Sequence, residues 1–192
     1  FTNKISKMSV SVIFGGQFGS EGKGKTAHFF AKYLKAKAVI RVGGPNSGHT
    51  VIDQNGEPLI LKHLPTASII KGVYSVITPG NYLNTDILQN EITKTGIDKE
   101  HLYIDPFSVI ISKEDIEKET TGGLKEAIGS TGSGTGAALS RRVNRNKDLK
   151  FAKDEPCLKS YIKNTRSFLR YLINENERII IEGTQGFGLS LL

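Results

Sequence analysis

Short apolar runs separated by glycine-rich turns set the pattern of this chain. Residues 10–14 are mostly apolar, rich in β-branched side chains and stop at Gly15 and Gly16, which predicts a buried strand. Within 27–34, Phe29, Phe30, Tyr33 and Leu34 recur at helical spacing, so strand, glycine loop and helix follow one another. A second strand is expected at 38–42, running into Gly43 and Gly44, and then a hairpin over 51–61 turning at Asn55 and Gly56. Residues 74–78 read as a strand, 86–95 as a helix capped by Thr85, and Ser112 as the cap of a helix running through Lys118. Six glycines with Ser and Thr between them over 122–136 are too many for a regular element. They predict a mobile loop that closes on a ligand, with a plain linker as the alternative. Leu158, Tyr161, Ile162, Leu169, Leu172 and Ile173 mark a long amphipathic helix, followed by a strand at 178–182 and a turn at 183–186.

This alternation predicts an α/β fold: a mainly parallel central sheet covered by helices, with ligands at the carboxyl ends of its strands. No internal repeat is visible. The last residues, Leu189-Ser190-Leu191-Leu192, are largely apolar and follow a strand and turn directly, so residues 1–192 are expected to be the N-terminal part of a single, longer domain.

Composition narrows the class. With 38% hydrophobic and 23% charged residues among 192, the chain can bury a core and disorder is not the default. Its apolar runs fall far short of the roughly 18 residues of a membrane span, and no cleavable signal pattern opens it, so a cytoplasmic protein is expected. Cys157 is the one cysteine, with no nearby His to suggest a metal site, and reads as an ordinary thiol. The formal charge of +7, from 26 Lys and Arg against 19 Asp and Glu, favours an anionic partner such as a nucleotide. The basic residues are scattered apart from small clusters such as Arg141, Arg142 and Arg145, and no nucleic-acid-binding signature accompanies them, so nucleic acid is not the expected partner.

The strongest chemical signal is the run Gly15-Gly16-Gln17-Phe18-Gly19-Ser20-Glu21-Gly22-Lys23-Gly24-Lys25-Thr26 between the first strand and the first helix. Its portion from Gly19 fits G-x-x-x-x-G-K-[ST], a P-loop-like turn whose amides and lysines hold phosphates at a helix N-terminus. A P-loop kinase or ATPase would use Lys25 as its phosphate lysine and need an acidic residue after another strand, for which Glu182 is the candidate.

Gln17 to Lys25, however, resembles the Q-W-G-D-E-G-K-G-K signature of the adenylosuccinate synthetase family. Three further runs resemble that family in the same order. Gly43-Gly44-Pro45-Asn46-Ser47-Gly48-His49-Thr50 is similar to its G-G-x-N-A-G-H-T turn, and Ile128-Gly129-Ser130-Thr131-Gly132-Ser133-Gly134-Thr135-Gly136 to its I-G-T-T-G-R-G-I-G loop. Glu182-Gly183-Thr184-Gln185-Gly186 is similar to E-G-A-Q-G. A P-loop kinase has no reason to contain the second and fourth of these.

The resemblance implies a magnesium-dependent, homodimeric carbon–nitrogen ligase that joins L-aspartate to the 6-position of a purine nucleoside monophosphate through a 6-phosphoryl intermediate, using GTP, ATP or dATP. It implies that Gly19, Glu21, Gly22, Lys23, Gly24, Lys25, Gly48 and Thr50 bind the triphosphate, and that Lys23 neutralises charge on the transferring group. His49 would stabilise the purine 6-oxygen, Gln185 would hydrogen-bond the purine near it, and Asn46, Ser130 and Thr131 would bind the monophosphate. Arg145 would reach that phosphate across the dimer interface, and the Gly48 carbonyl would bind magnesium. Ser20 stands where the family has its catalytic, magnesium-binding aspartate, so the catalytic and metal roles at this position fall on a hydroxyl. A Ser here, with the run Gln185-Gly186-Phe187-Gly188-Leu189-Ser190-Leu191, looks like the bacteriophage branch of the family, which acts on deoxyguanylate; a standard inosinate enzyme is the alternative.

Overall fold

The computed structural model describes residues 9–121 and 131–189. In chain order it contains β1 (Val10–Gly15), α1 (Lys23–Tyr33), β2 (Ala38–Arg41), β3 (His49–Ile52), β4 (Pro58–Leu61), β5 (Tyr74–Ile77) and β6 (Tyr82–Leu83). There follow α2 (Thr85–Thr95), β7 (Leu102–Ile104), β8 (Val109–Ile110), α3 (Lys113–Thr121), α4 (Thr135–Val143), α5 (Thr165–Asn174) and β9 (Ile179–Gly186).

Five strands form an all-parallel sheet in the order β1-β9-β2-β5-β7. Alternate side chains leave it on opposite faces. Val39 and Ile180 pack with Ala31 of α1, whereas Ala38, Ile40 and Ile179 pack with Leu172 and Phe168 of α5. A helix on each face explains why these strands read as continuous apolar runs, with each fully buried Ile or Val contributing about 1.5–3 kcal/mol. A second core gathers Leu61, Leu64, Leu88, Leu102, Ile104 and Leu158 under the β3–β4 hairpin and α2.

Two buried polar groups lock that second core. The Glu91 carboxylate of α2 accepts the backbone N–H groups of Lys62, His63 and Leu64 at 2.6, 3.0 and 2.9 Å. Burial pushes its pKa up, and those three bonds pull against the shift. His63 accepts the N–H of Asn84 at Nε2, 3.1 Å away. Burial, with the positive charges of Arg41 and Lys62 behind it, lowers the pKa of this imidazole to about 3 and keeps it neutral.

Several elements differ from the sequence reading. Asn84, not Thr85, caps α2: its side chain accepts from the N–H groups of Asp86 and Ile87, and Thr85 is the first helical residue. Ser112 does cap α3, in a reciprocal arrangement with Asp115, but the helix continues to Thr121. Residues 122–130 of the expected glycine-rich loop lie outside the described residues, and Thr135 and Gly136 already belong to α4. The single amphipathic helix expected through 158–173 is two: a 3-10 segment, Pro156–Tyr161, and α5. Between them Lys163 donates its N–H to the Ile104 carbonyl at the edge of the sheet, and Asn164 starts α5 by accepting from Ser167. Residues 183–186, expected as a turn, extend β9 to Gly186.

Candidate active site

The last strand is inserted between the first two of the sheet, and this connectivity builds the site. β9 pairs with β1 on one side and β2 on the other, so the turns leaving all three strands meet at one carboxyl edge. A cavity of about 700 Å³ opens there, lined by residues 18–25 and 46–50 and by Thr131, Thr184 and Gln185. It unites Gly19, Ser20, Glu21, Gly22, Lys23, Gly24, Lys25, Asn46, Gly48, His49, Thr50, Thr131 and Gln185, stretches of chain more than a hundred residues apart. Ser130 lies outside the described residues, and Arg145 follows α4 at φ 53° and is not among the residues that line the cavity.

Register places the site's central charge. Arg41 and Glu182 are opposite one another on β2 and β9 and are 1% and 0% exposed. Glu182 Oε1 accepts from Arg41 Nη1 at 2.9 Å and faces His49 Nδ1 at 2.5 Å. Its Oε2 accepts the Thr66 N–H at 2.9 Å and lies 2.8 Å from the Thr66 hydroxyl. Arg41 Nη1 and His49 Nδ1 also touch each other. A protonated Nδ1 donates to the carboxylate and a bare Nδ1 accepts from the guanidinium, so the ring has a partner on this side in either tautomer. Burial pulls the Arg41 pKa down and the adjacent Glu182 pushes it back up. Arg41 Nη2 donates to the Ser47 carbonyl at 3.0 Å, which ties the 46–50 turn to the same pair.

His49 is therefore oriented from behind. With Nδ1 turned to Glu182, its Nε2 lies 3.3 Å from the Thr184 carbonyl at the wall of the cavity. In the tautomer whose bare Nδ1 accepts from Arg41, the ring proton is on Nε2 and can be donated to that carbonyl or to a ligand oxygen entering in its place. Gly24 permits the close packing in front: a Cβ here would lie 2.7 Å from His49 Cβ and 2.8 Å from Thr66 Cγ2. Sequence reasoning missed the roles of Arg41 and Thr66 and gave Glu182 a part only in a P-loop NTPase. The signal for the Arg41–Glu182 pair was a charge of each sign in two runs otherwise buried.

The glycine-loop side of the cavity carries Lys23, Lys25 and Glu21. Lys23 is 5% exposed, lines the cavity and has no hydrogen-bond acceptor or counter-ion among the described residues. Gly22 starts α1 at φ 75°, and no side chain caps the helix, so its first amides face the cavity mouth. Ser20 is exposed at φ 55°, a left-handed conformation uncommon outside glycine. On the opposite side, α4 is capped by Glu119 of α3, whose carboxylate accepts from Gly134, Gly136 and Ala137 at 2.8, 2.6 and 3.1 Å. A second cavity of about 650 Å³, at the start of α3, lies away from the glycine loops, and its Arg141 is paired with Asp115 at 2.6 Å. The chemistry converges on the first cavity.

Comparison with known proteins gives this geometry a family. Residues 12–154 match the family model for adenylosuccinate synthetase. The adenylosuccinate synthetase of Methanosphaera stadtmanae is 35% identical over 188 residues, covering 96% of this chain and 54% of the relative. That of Methanocaldococcus jannaschii is 34% identical over 192 residues, covering 98% and 55%. Among solved structures, fully ligated adenylosuccinate synthetase from Plasmodium falciparum shares the fold at a TM-score of 0.82 and 22% identity, over 93% of this chain and 51% of that one. The succinoaminodeoxyadenylate synthetase of cyanophage S-2L, bound to dGMP and to dATP as energy donor, superposes at a TM-score of 0.80 and 25% identity, over 95% and 53%. The chain spans about half the length of the relatives it matches. With its fold, its cavity and the order of its four motifs in agreement, the chain belongs to the adenylosuccinate synthetase family.

Proposed function

We propose that this cavity binds a purine nucleoside monophosphate and a nucleoside triphosphate, and that the chain carries the phosphate- and purine-handling part of a ligase that adds L-aspartate at the purine 6-position. The observation that carries this reading is Lys23, a residue only 5% exposed that lines a glycine-rich cavity also holding His49 and makes no ion pair among the described residues. A phosphate entering the cavity would supply the anionic partner of its ammonium.

In the first step the γ-phosphoryl group passes from the triphosphate to the purine 6-oxygen while N1 gives its proton to water, position 20 holding no carboxylate to take it. In the second, the aspartate amine attacks C6, the C6–O bond breaks, phosphate departs and the amine gives up a proton. Lys23 and the first amides of α1 would hold the transferring phosphoryl group, Nε2 of His49 would face the 6-oxygen, and Gln185 would hydrogen-bond the base beside it. Thr131 and Ser130 would take the monophosphate. Arg145, which does not line the cavity of its own chain, would complete that site across a homodimer interface.

Magnesium fits as part of the triphosphate complex. Among the described residues no cluster of three or more His, Cys, Asp or Glu side chains could hold a metal, and Glu182 is saturated by Arg41, His49 and Thr66. Besides the Glu21 carboxylate, which is engaged by two backbone N–H groups, the cavity offers the Ser20 hydroxyl and the Gly48 carbonyl, which would supplement phosphate oxygens and water around the ion. Bound there, magnesium would neutralise phosphate charge during transfer.

For the purine, deoxyguanylate is preferred over inosinate. The short side chain of Ser20 leaves room for the 2-amino group beside N1, which inosinate lacks, while the N1 proton is common to both purines and does not distinguish them. The cyanophage enzyme, solved with dGMP and dATP, is consistent with this choice. A second reading, inosinate with GTP, is favoured by identities of 34–35% to archaeal adenylosuccinate synthetases. The exchange Ser20→Asp separates the two. In the complete protein as its source expresses it, the substitution is expected to depress turnover of deoxyguanylate by at least about tenfold and to leave or raise turnover of inosinate. Turnover of inosinate alone before the exchange would contradict the deoxyguanylate reading.

A further inference from the structure

The triphosphate reading leaves open which part of the glycine loop receives phosphate, and Glu21 answers it. Its Oε1 accepts the N–H of Gln17 at 3.0 Å and its Oε2 accepts the N–H of Gly19 at 3.2 Å. The carboxylate sits in an exposed slot between the ends of two strands. A Cβ on Gly15 would run into Glu21 Oε2, and one on Gly186 would run into the Gln17 carbonyl and lie 2.7 Å from Oε2, so the glycines ending β1 and β9 leave room for it. Just past β9, the Gly188 N–H meets the Gln17 carbonyl at 2.6 Å and ties down the same stretch. A carboxylate bridging two converging amides is the arrangement in which loops of this kind hold external anions.

We propose that Glu21 is a positioning residue. Its carboxylate acts as a built-in anion that fixes residues 17–19 against the end of β9 and so directs the triphosphate to the remaining donors, the first amides of α1 and Lys23. The first half of the loop is filled from within and the second half is open. This role rests on the proposed triphosphate site, but the slot itself is testable without any nucleotide.

The test uses the full chain and three variants, Glu21→Ala, Glu21→Gln and Glu21→Asp, with two readouts. Amide hydrogen exchange of residues 15–20 is followed without nucleotide, with and without formate. Glu21→Ala is expected to lose protection, and formate, which fits the vacated slot, restores it. Glu21→Gln also loses protection but gains nothing from formate, because its amide fills the slot while setting an N–H donor against a backbone donor. Glu21→Asp keeps partial protection. The second readout is calorimetric titration with magnesium and dATP or GTP, where Glu21→Ala is expected to bind on the order of tenfold more weakly and to recover in formate. Unchanged exchange in Glu21→Ala, loss of protection that formate does not restore, or tighter nucleotide binding by that variant would each overturn the proposal. Failure of the unsubstituted chain to bind either triphosphate, with the formate effect intact, would instead remove the triphosphate reading and leave the slot standing.

Discussion

Glu182 shows how much a single buried carboxylate organises here. It receives Arg41, His49 and Thr66 on its two oxygens, and through them holds β2, the His49 turn and the segment after the hairpin in one arrangement. Removing one partner of such a buried set usually costs about 3–5 kcal/mol, because the rest remains desolvated without its counter-charge. His63, one shell further out, makes a titration prediction. Its folded pKa is about 3 against an ordinary 6.5, so between those values the unfolded chain binds the proton and the folded one does not. The stabilisation is complete above pH 6.5 and is lost progressively as pH falls towards 3. Glu91 titrates in the opposite sense, its folded pKa being raised, so the comparison must be with a variant that removes only His63. Glutamine can accept the Asn84 N–H but does not titrate. The margin in urea unfolding free energy between the unsubstituted protein and His63→Gln should narrow by about 2 kcal/mol between pH 6.5 and pH 5. Parallel curves would show that His63 is not held neutral in the fold.

At the scale of elements, the first helical turns carry much of the design. The start of α1 is left uncapped towards the cavity, whereas α2 and α4 are capped by Asn84 and by Glu119. The cap of α2 can be checked directly: Asn84→Ala should cost about 1 kcal/mol in denaturant unfolding, and Thr85→Ala should cost less than half of that. Equal losses would return the cap to Thr85. Asn and Thr are both good caps, and only backbone conformation distinguishes them, with Asn84 extended at φ −90° and ψ 114°. The other differences have similar causes. Apolar residues recur at helical spacing on both sides of the polar run 163–167, but the contacts of Ile162 and Lys163 with β7 interrupt the helix there, and those contacts are tertiary. Gly183 and Gly186 look like turn residues, yet β9 runs through them because its two neighbours provide pairing on both sides. Strand 10–14, the hairpin and the helix after Ser112 were legible because their periodicity and end signals agree locally.

Across the whole molecule, the all-parallel sheet was legible from the alternation of elements, but its order was not. That β9 lies between β1 and β2 depends on pairings of residues 169 apart, as Val10 with Ile179, and 141 apart, as Arg41 with Glu182, and this insertion brings Glu182 to Arg41 and Gln185 to the glycine-rich loop after β1. Motif resemblance supplied most of the cavity's residues, while the charged support behind His49 became visible only with the register known. No helix among the described residues is long and apolar enough to cross a membrane. The account as a whole stands on product formation. The complete protein, with magnesium and L-aspartate, is given inosinate, guanylate or deoxyguanylate paired with GTP, ATP or dATP, and the nucleotides are analysed by mass spectrometry. The account predicts a succinylated product from deoxyguanylate with ATP or dATP; no succinylated product from any pair would contradict it.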